Sequence, residues 1–139
     1  MAQKHKGAGY GNEDCCAFCG AKRSDVAVLV LGEARDMSGE AKSRAFIRIP
    51  DIQLKLLDAV LETGTPVVLL ISAGRPIIVE EFKNKVAALA YIWQLGSETG
   101  NAVADVLTGA YNPSGHLTMS VPRHEGQLPV YYNHFRTGR

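Results

Sequence analysis

Two apolar runs without a single charge, Val26-Ala27-Val28-Leu29-Val30-Leu31 and Pro66-Val67-Val68-Leu69-Leu70-Ile71, end at the small residues Gly32 and Ser72. Continuous runs this rich in β-branched residues suit strands buried on both faces, as in a parallel sheet. Between them, Asp51–Glu62 has a helical pattern: Ile52, Leu56 and Val60 share one stripe, with Leu57 and Leu61 beside it. Pro50 and Gly64 are suitable boundaries for that helix. Strand, helix and strand in this order form a crossover unit, and crossovers between parallel strands are right-handed.

The alternation continues. Ser72-Ala73-Gly74-Arg75-Pro76 reads as a turn, Val79–Asn84 as a short helix and Val86–Trp93 as a third strand. Glu98–Leu107 reads as a helix with Val103, Val106 and Leu107 inward, and Leu117–Val121 as a last strand before an irregular tail. The expected fold is α/β: a mainly parallel sheet with helices on both faces. Residues 1–22, with scattered glycines and lysines and few large apolar groups, are expected to be a poorly ordered leader, with order beginning near Ser24. Residues 23–139 are expected to form one α/β domain. In such sheets ligands gather at the C-terminal ends of the strands. Here those ends are the Gly32 loop, the Ser72 turn and the loop from Gln94 to Glu98, so the three are expected to make one site.

Composition excludes several classes of function. A net charge of +1 creates no broad field for nucleic acid or an anionic membrane. No apolar run approaches the roughly 20 residues that span a bilayer. The N-terminus has no apolar signal core, so a cytoplasmic location is expected for the chain as written. Cys15, Cys16 and Cys19 crowd into one short stretch and cannot staple a fold. Cys16-Ala17-Phe18-Cys19 has the form of half a zinc knuckle, but a tetrahedral site needs four ligands, so neither metal nor cofactor is expected. Ser72 and Ser114 lack the Gly-x-Ser-x-Gly turn of a serine hydrolase.

The motifs that carry chemistry are Gly32-Glu33, Ser38-Gly39-Glu40-Ala41 with Ser43-Arg44, Gly74-Arg75-Pro76, Gly96-Ser97-Glu98-Thr99-Gly100-Asn101 and Asn112-Pro113-Ser114-Gly115. Pro129-Val130-Tyr131-Tyr132-Asn133-His134 with Thr137-Gly138-Arg139 completes the series. In order and spacing they resemble the C-terminal α/β sandwich domain of family 3 glycoside hydrolases, the β-glucosidase type. The resemblance covers about Ser24 to Arg139 and departs at His116, where the family commonly has Lys or Arg. It implies a (β/α)8 barrel that supplies an Asp nucleophile and a sandwich that supplies an acid/base carboxylate. The barrel is not in this chain, and the opening strand and helix of the sandwich are missing too. Members of the family are often exported, to the periplasm or outside the cell, and the implied parent cleaves terminal β-linked sugars with retention.

By position in Ser-Gly-Glu-Ala, Glu40 matches the acid/base; the alternative is a solvated loop glutamate. Glu33 is expected to pair with Arg35 or Arg44 and to order the loop. Arg44 is expected to orient Glu40, to bridge to a neighbouring domain or to lie on the surface. Arg75, after a strand end, is read as satisfying carbonyls. Trp93 offers either a sugar-stacking face or core packing. Glu98 and Asn101 are expected to cap or pair locally. The implied partner is a carbohydrate. The competing reading is an inert module that self-associates as a symmetric homodimer to hide unpaired sheet edges.

Overall fold

The computed structural model describes residues 16–136. Its centre is a parallel sheet of three strands, β1 (Ala27–Gly32), β2 (Val67–Ser72) and β3 (Ala88–Tyr91), in that spatial order. The register is unbroken, from Ala27 opposite Val67 to Gly32 opposite Ser72, and from Val68 opposite Ala88 to Ile71 opposite Tyr91. Helices α1 (Ala17–Lys22), α2 (Asp51–Leu61) and α3 (Thr99–Thr108) complete the regular elements, with 3-10 turns at Gly96–Glu98 and Glu125–Gln127. The α/β class and the parallel sheet are those expected.

The buried face of α2 is set by Leu57 and Val60 with Leu54 and Leu61 beside them, and not by the expected stripe, of which Ile52 is 73% and Leu56 36% exposed. Leu57 and Val60 are 1% exposed and pack with Val67, Leu69 and Ile71 of β2 and with Ile77 and Phe82 from the segment that follows β2. Each such side chain contributes about 1.5–3 kcal/mol by leaving water. Pro50 starts α2 with φ −54° and ψ 140°, and its carbonyl accepts the amides of Gln53 (2.8 Å) and Leu54 (3.2 Å).

The expectation of strands buried on both faces holds for β2 but not for β1. Val28 and Val30 are 46% and 57% exposed, and Ala88 and Ala90, which share their face of the sheet, are exposed as well. Helix α3 keeps no residue buried, and Val106 and Leu107 of its apolar stripe remain accessible. Periodicity reports an apolar stripe; what covers it depends on the rest of the fold.

Order begins before Ser24. Residues 17–22 are helical, Cys16 caps that helix by accepting the Cys19 amide on Sγ at 3.1 Å, and Ala21 is buried. The Ala21 carbonyl accepts the Thr65 hydroxyl at 2.7 Å, which ties α1 to the loop before β2. Hydrogen bonding with Cys19 holds the Cys16 thiol below its ordinary pKa. Residues 1–15 of the expected leader lie outside the described residues.

The segment 79–84 makes turns rather than a helix: Phe82 and Lys83 donate to Val79 at 3.1 and 2.8 Å, but the pattern stops once Phe82 enters the core. One turn bears the nucleation cost without later turns to offset it. Leu117–Val121 is not a strand; Leu117 and Met119 are half-exposed, and the segment joins no ladder among the described residues. β3 is shorter than expected, and Trp93, with φ +47°, lies just beyond its end. No helix among the described residues is long and apolar enough to cross a membrane.

Candidate functional site

The C-terminal ends of β1 and β2 converge on one carboxylate. Glu33 follows Gly32, and its amide donates to the Ser72 carbonyl at 2.9 Å, continuing the ladder one residue past the strand. Its side chain is 1% exposed, an extreme burial for a glutamate. Two guanidiniums meet it: Arg44 Nη1 donates to Oε1 at 2.9 Å, and Arg75 Nε lies 2.9 Å from the same oxygen. The Arg75 contact is an ion pair rather than a hydrogen bond, because the Nε–H is not aimed along that line. Oε2 accepts the Gly74 amide at 3.2 Å.

The two arginines spread this anchor through the loop. Arg75 Nη2 donates to the carbonyls of Met37 and Lys42, both at 2.9 Å. Arg44 Nη2 donates to the Arg48 carbonyl at 3.2 Å. A charge removed from water needs its lone pairs and protons satisfied. Here those requirements wind residues 33–48 around one buried point. Glu33 therefore pairs with Arg44, as expected, and with Arg75 in place of Arg35. Arg75 satisfies carbonyls, as its position after a strand predicts.

Glu40 rides on this anchored loop but is exposed, as are Arg35 and Asp36. Ala41 beside it has φ +57°, a left-handed conformation that disfavours residues with a Cβ. Gly74 fits closely beneath the loop: a Cβ there would stand 2.0 Å from Ser38 Oγ and 3.4 Å from Gln94 Nε2. Ser38, Gly74 and Gln94 belong to the three loops that the sequence placed at one edge, and they meet there. Glu33, Arg44 and Arg75 are thus brought together, while Glu40 and Trp93 stand outside the ion-pair cluster.

Trp93 is partly buried. Its ring stacks on Tyr91 with centroids 5.3 Å apart, and its carbonyl accepts the Ser72 hydroxyl at 3.0 Å. Both aromatic rings border a cavity of about 900 Å³ between β3 and the segment from Pro113 to Arg123. Tyr91 donates to the Ile77 carbonyl, and burial pushes its phenol up to about 12 from 10.0. The neutral phenol fits the folded state, so its contribution is intact below the unfolded value near 10 and is lost as pH rises through about 12. Stability of the parent is expected to fall across that window, and Tyr91→Phe to flatten the decline. A parent and variant with the same alkaline profile by circular dichroism would refute this.

Two structural residues escaped the sequence reading. The Gln53 side chain clasps the end of β1, accepting the Gly32 amide at 2.8 Å and donating to the Gly32 carbonyl at 3.1 Å. Arg48 bridges Glu125, at 2.8 and 3.1 Å, and Glu81, at 2.7 Å, tying the tail to the body. That pairing lowers the Glu125 pKa. The only signals were a polar residue within an apolar helix and a cation before Ile-Pro. Glu98 and Asn101 pair locally at 2.6 Å, as expected. Among the described residues no cluster of His, Cys, Asp or Glu could hold a metal.

The family model for the glycosyl hydrolase family 3 C-terminal domain matches residues 13–139. It reaches into the stretch read as an unrelated leader. A periplasmic β-glucosidase of Salmonella typhimurium is 49% identical over 119 residues, which is 86% of this chain and 16% of that protein. A β-xylosidase of Formosa agariphila is 39% identical over 84% of this chain and 16% of its own length. The crystal structure of a β-glucosidase from Listeria innocua in complex with isofagomine superposes with a TM-score of 0.84 at 48% identity. That match covers 88% of this chain and 17% of the Listeria chain, so the fold described here spans about one-sixth of such proteins. With the parallel sheet, the order of its loops and these matches in agreement, the chain belongs to the C-terminal domain family of the family 3 glycosyl hydrolases.

Proposed function

We propose that this chain is the acid/base-bearing part of a retaining β-glucosidase-like hydrolase acting on terminal β-linked sugars. The observation that carries this reading is the buried Glu33–Arg44–Arg75 cluster, which fixes a loop and leaves Glu40 presented to solvent at the C-terminal edge of the sheet. A retaining enzyme needs a nucleophilic carboxylate about 5 Å from the acid/base. Glu40 supplies the second role, and the nucleophile comes from a part of the enzyme that lies outside this sequence. Glu40 would protonate the leaving oxygen and then take a proton from the water that releases the sugar. Closure against the neighbouring domain would exclude water from around Glu40. Glu33 and Arg44 act as positioning residues, and Trp93 offers its ring to a sugar face.

The test is a chimera in which residues 16–136 replace the matching segment of the Salmonella β-glucosidase. With an aryl β-glucoside, Glu40→Gln is expected to lower kcat by about 10²–10⁴-fold, and added azide should restore turnover by replacing the water that needs a base. The isolated chain should be inert. Full activity of the Glu40→Gln chimera would refute the assignment, and turnover by the isolated chain would refute the missing nucleophile.

A further inference from the structure

The segment that carries Glu40 is closed at both ends by one nitrogen. Arg75 Nη2 donates to the carbonyls of Met37 and Lys42, both at 2.9 Å. Ser38, Gly39, Glu40 and Ala41 lie between those carbonyls. Within the enclosed stretch the Lys42 amide donates to the Gly39 carbonyl at 3.2 Å, so Glu40 and Ala41 form the corner of a turn. Ala41 has φ +57° at the position where a turn of this kind ordinarily takes glycine or asparagine. A residue with a Cβ holds such a conformation only where its surroundings impose it. The surroundings here are the two Arg75 bonds and the seat of Ser38 against Gly74, the residue before Arg75. The same guanidinium is itself anchored, since its Nε lies 2.9 Å from the buried Glu33 carboxylate.

We propose that Arg75 is a positioning residue for the acid/base: it clasps the 37–42 segment, so that the Glu40 carboxyl meets the leaving-group oxygen in a preset direction. The inference rests on the acid/base reading of Glu40. A guanidinium suits this task because its planar fork presents several donors in fixed directions, whereas an ammonium is a single point of charge. Arg75→Lys keeps the ion pair with Glu33 or reaches one carbonyl; it does not bind the carboxylate and close both ends of the turn. Arg44 shares the carboxylate but not the clasp, because its second nitrogen goes to the Arg48 carbonyl, outside the turn. Both arginines therefore neutralise Glu33, and Arg75 joins it to the turn that bears Glu40. Glu40 itself is exposed, and without the clasp its carboxyl would be out of line most of the time. A displacement of about 1 Å at a reacting group costs on the order of 10²-fold in rate.

The experiment reads Arg75→Lys in two ways. In the chimera, kcat for an aryl β-glucoside should fall by about 10–100-fold with KM little changed. Arg44→Lys should cost less, and Arg75→Lys should cost nothing further once Glu40 is already Gln. In the isolated chain, hydrogen exchange at the Lys42 amide should quicken by about tenfold or more. The Ile78 amide, which donates to the Ile47 carbonyl at 2.9 Å within the core, should keep its protection and so report that the domain is folded. Ala41→Val opposes the same turn from an exposed position that no ion pair touches, and it should show the same loss of kcat. Unchanged kcat in a folded Arg75→Lys chimera, a loss carried by KM, or an equal loss in the Glu40→Gln background would each overturn the positioning role. A fully active Glu40→Gln chimera would remove the acid/base reading and this role with it, whereas faster Lys42 exchange with normal turnover would overturn this role alone.

Discussion

Gly32→Ala is expected to unfold the domain or to cost more than about 4 kcal/mol, beyond the ordinary range of single substitutions. Gly32 has φ +152°, and a Cβ placed there would stand 1.8 Å from the Ser72 carbonyl oxygen and 2.6 Å from its carbon. The obstacle is backbone at the paired ends of β1 and β2, so no rotamer change relieves it. The same Ser72 oxygen accepts the Glu33 amide at 2.9 Å, and Gln53 holds both polar groups of Gly32. Any backbone shift that admits the methyl group breaks these contacts together. Gly100→Ala is the control, because it lies in α3 with nothing within 4 Å of its Cβ. It should be neutral or stabilise by about 0.4–1 kcal/mol. Urea unfolding of both variants decides the matter; a Gly32→Ala midpoint close to that of Gly100→Ala would show that the close approach is not a constraint.

The second large effect belongs to Glu33. Glu33→Ala leaves two guanidiniums, with side chains 22% and 20% exposed, converging on a position without counter-charge. Removing one partner of a buried ion pair costs about 3–5 kcal/mol, because the remaining charge stays desolvated. Glu33→Gln keeps the shape and one acceptor and should cost less. Adding Arg75→Met to Glu33→Ala should recover part of the loss, since the pair is coupled. Strictly additive losses in a double-mutant cycle would deny that Glu33 and Arg75 act as a unit. In the chimera, Glu33→Gln should also reduce turnover with Glu40 intact, since the loop that presents Glu40 is wound on this carboxylate.

The sequence by itself determined the elements whose physics is local. β1 and β2 were legible because uncharged β-branched runs ending in small residues have few other uses. Helix α2 was legible as an element from its apolar spacing and its Pro50 start, although Ile52 and Leu56 of the expected stripe turn out to be exposed. The ends of those strands located the cluster of loops, and Gly32-Glu33 and Gly74-Arg75 marked its centre. Tertiary structure decided the rest. Glu33 could be read as an ion-pair partner, but its burial and its second arginine follow from Gly74 packing under Ser38, a contact between segments far apart in the chain. The stripe of α3 and the valines of β1 look like core in sequence, yet they are exposed, because burial is a property of what lies opposite and not of the run itself. Cys16–Lys22 was read as part of a leader with too few large apolar groups to order, yet it folds with Ala21 buried in the core and its carbonyl accepting the Thr65 hydroxyl. Periodicity names the face of an element that seeks cover, and only the assembled chain supplies or withholds it.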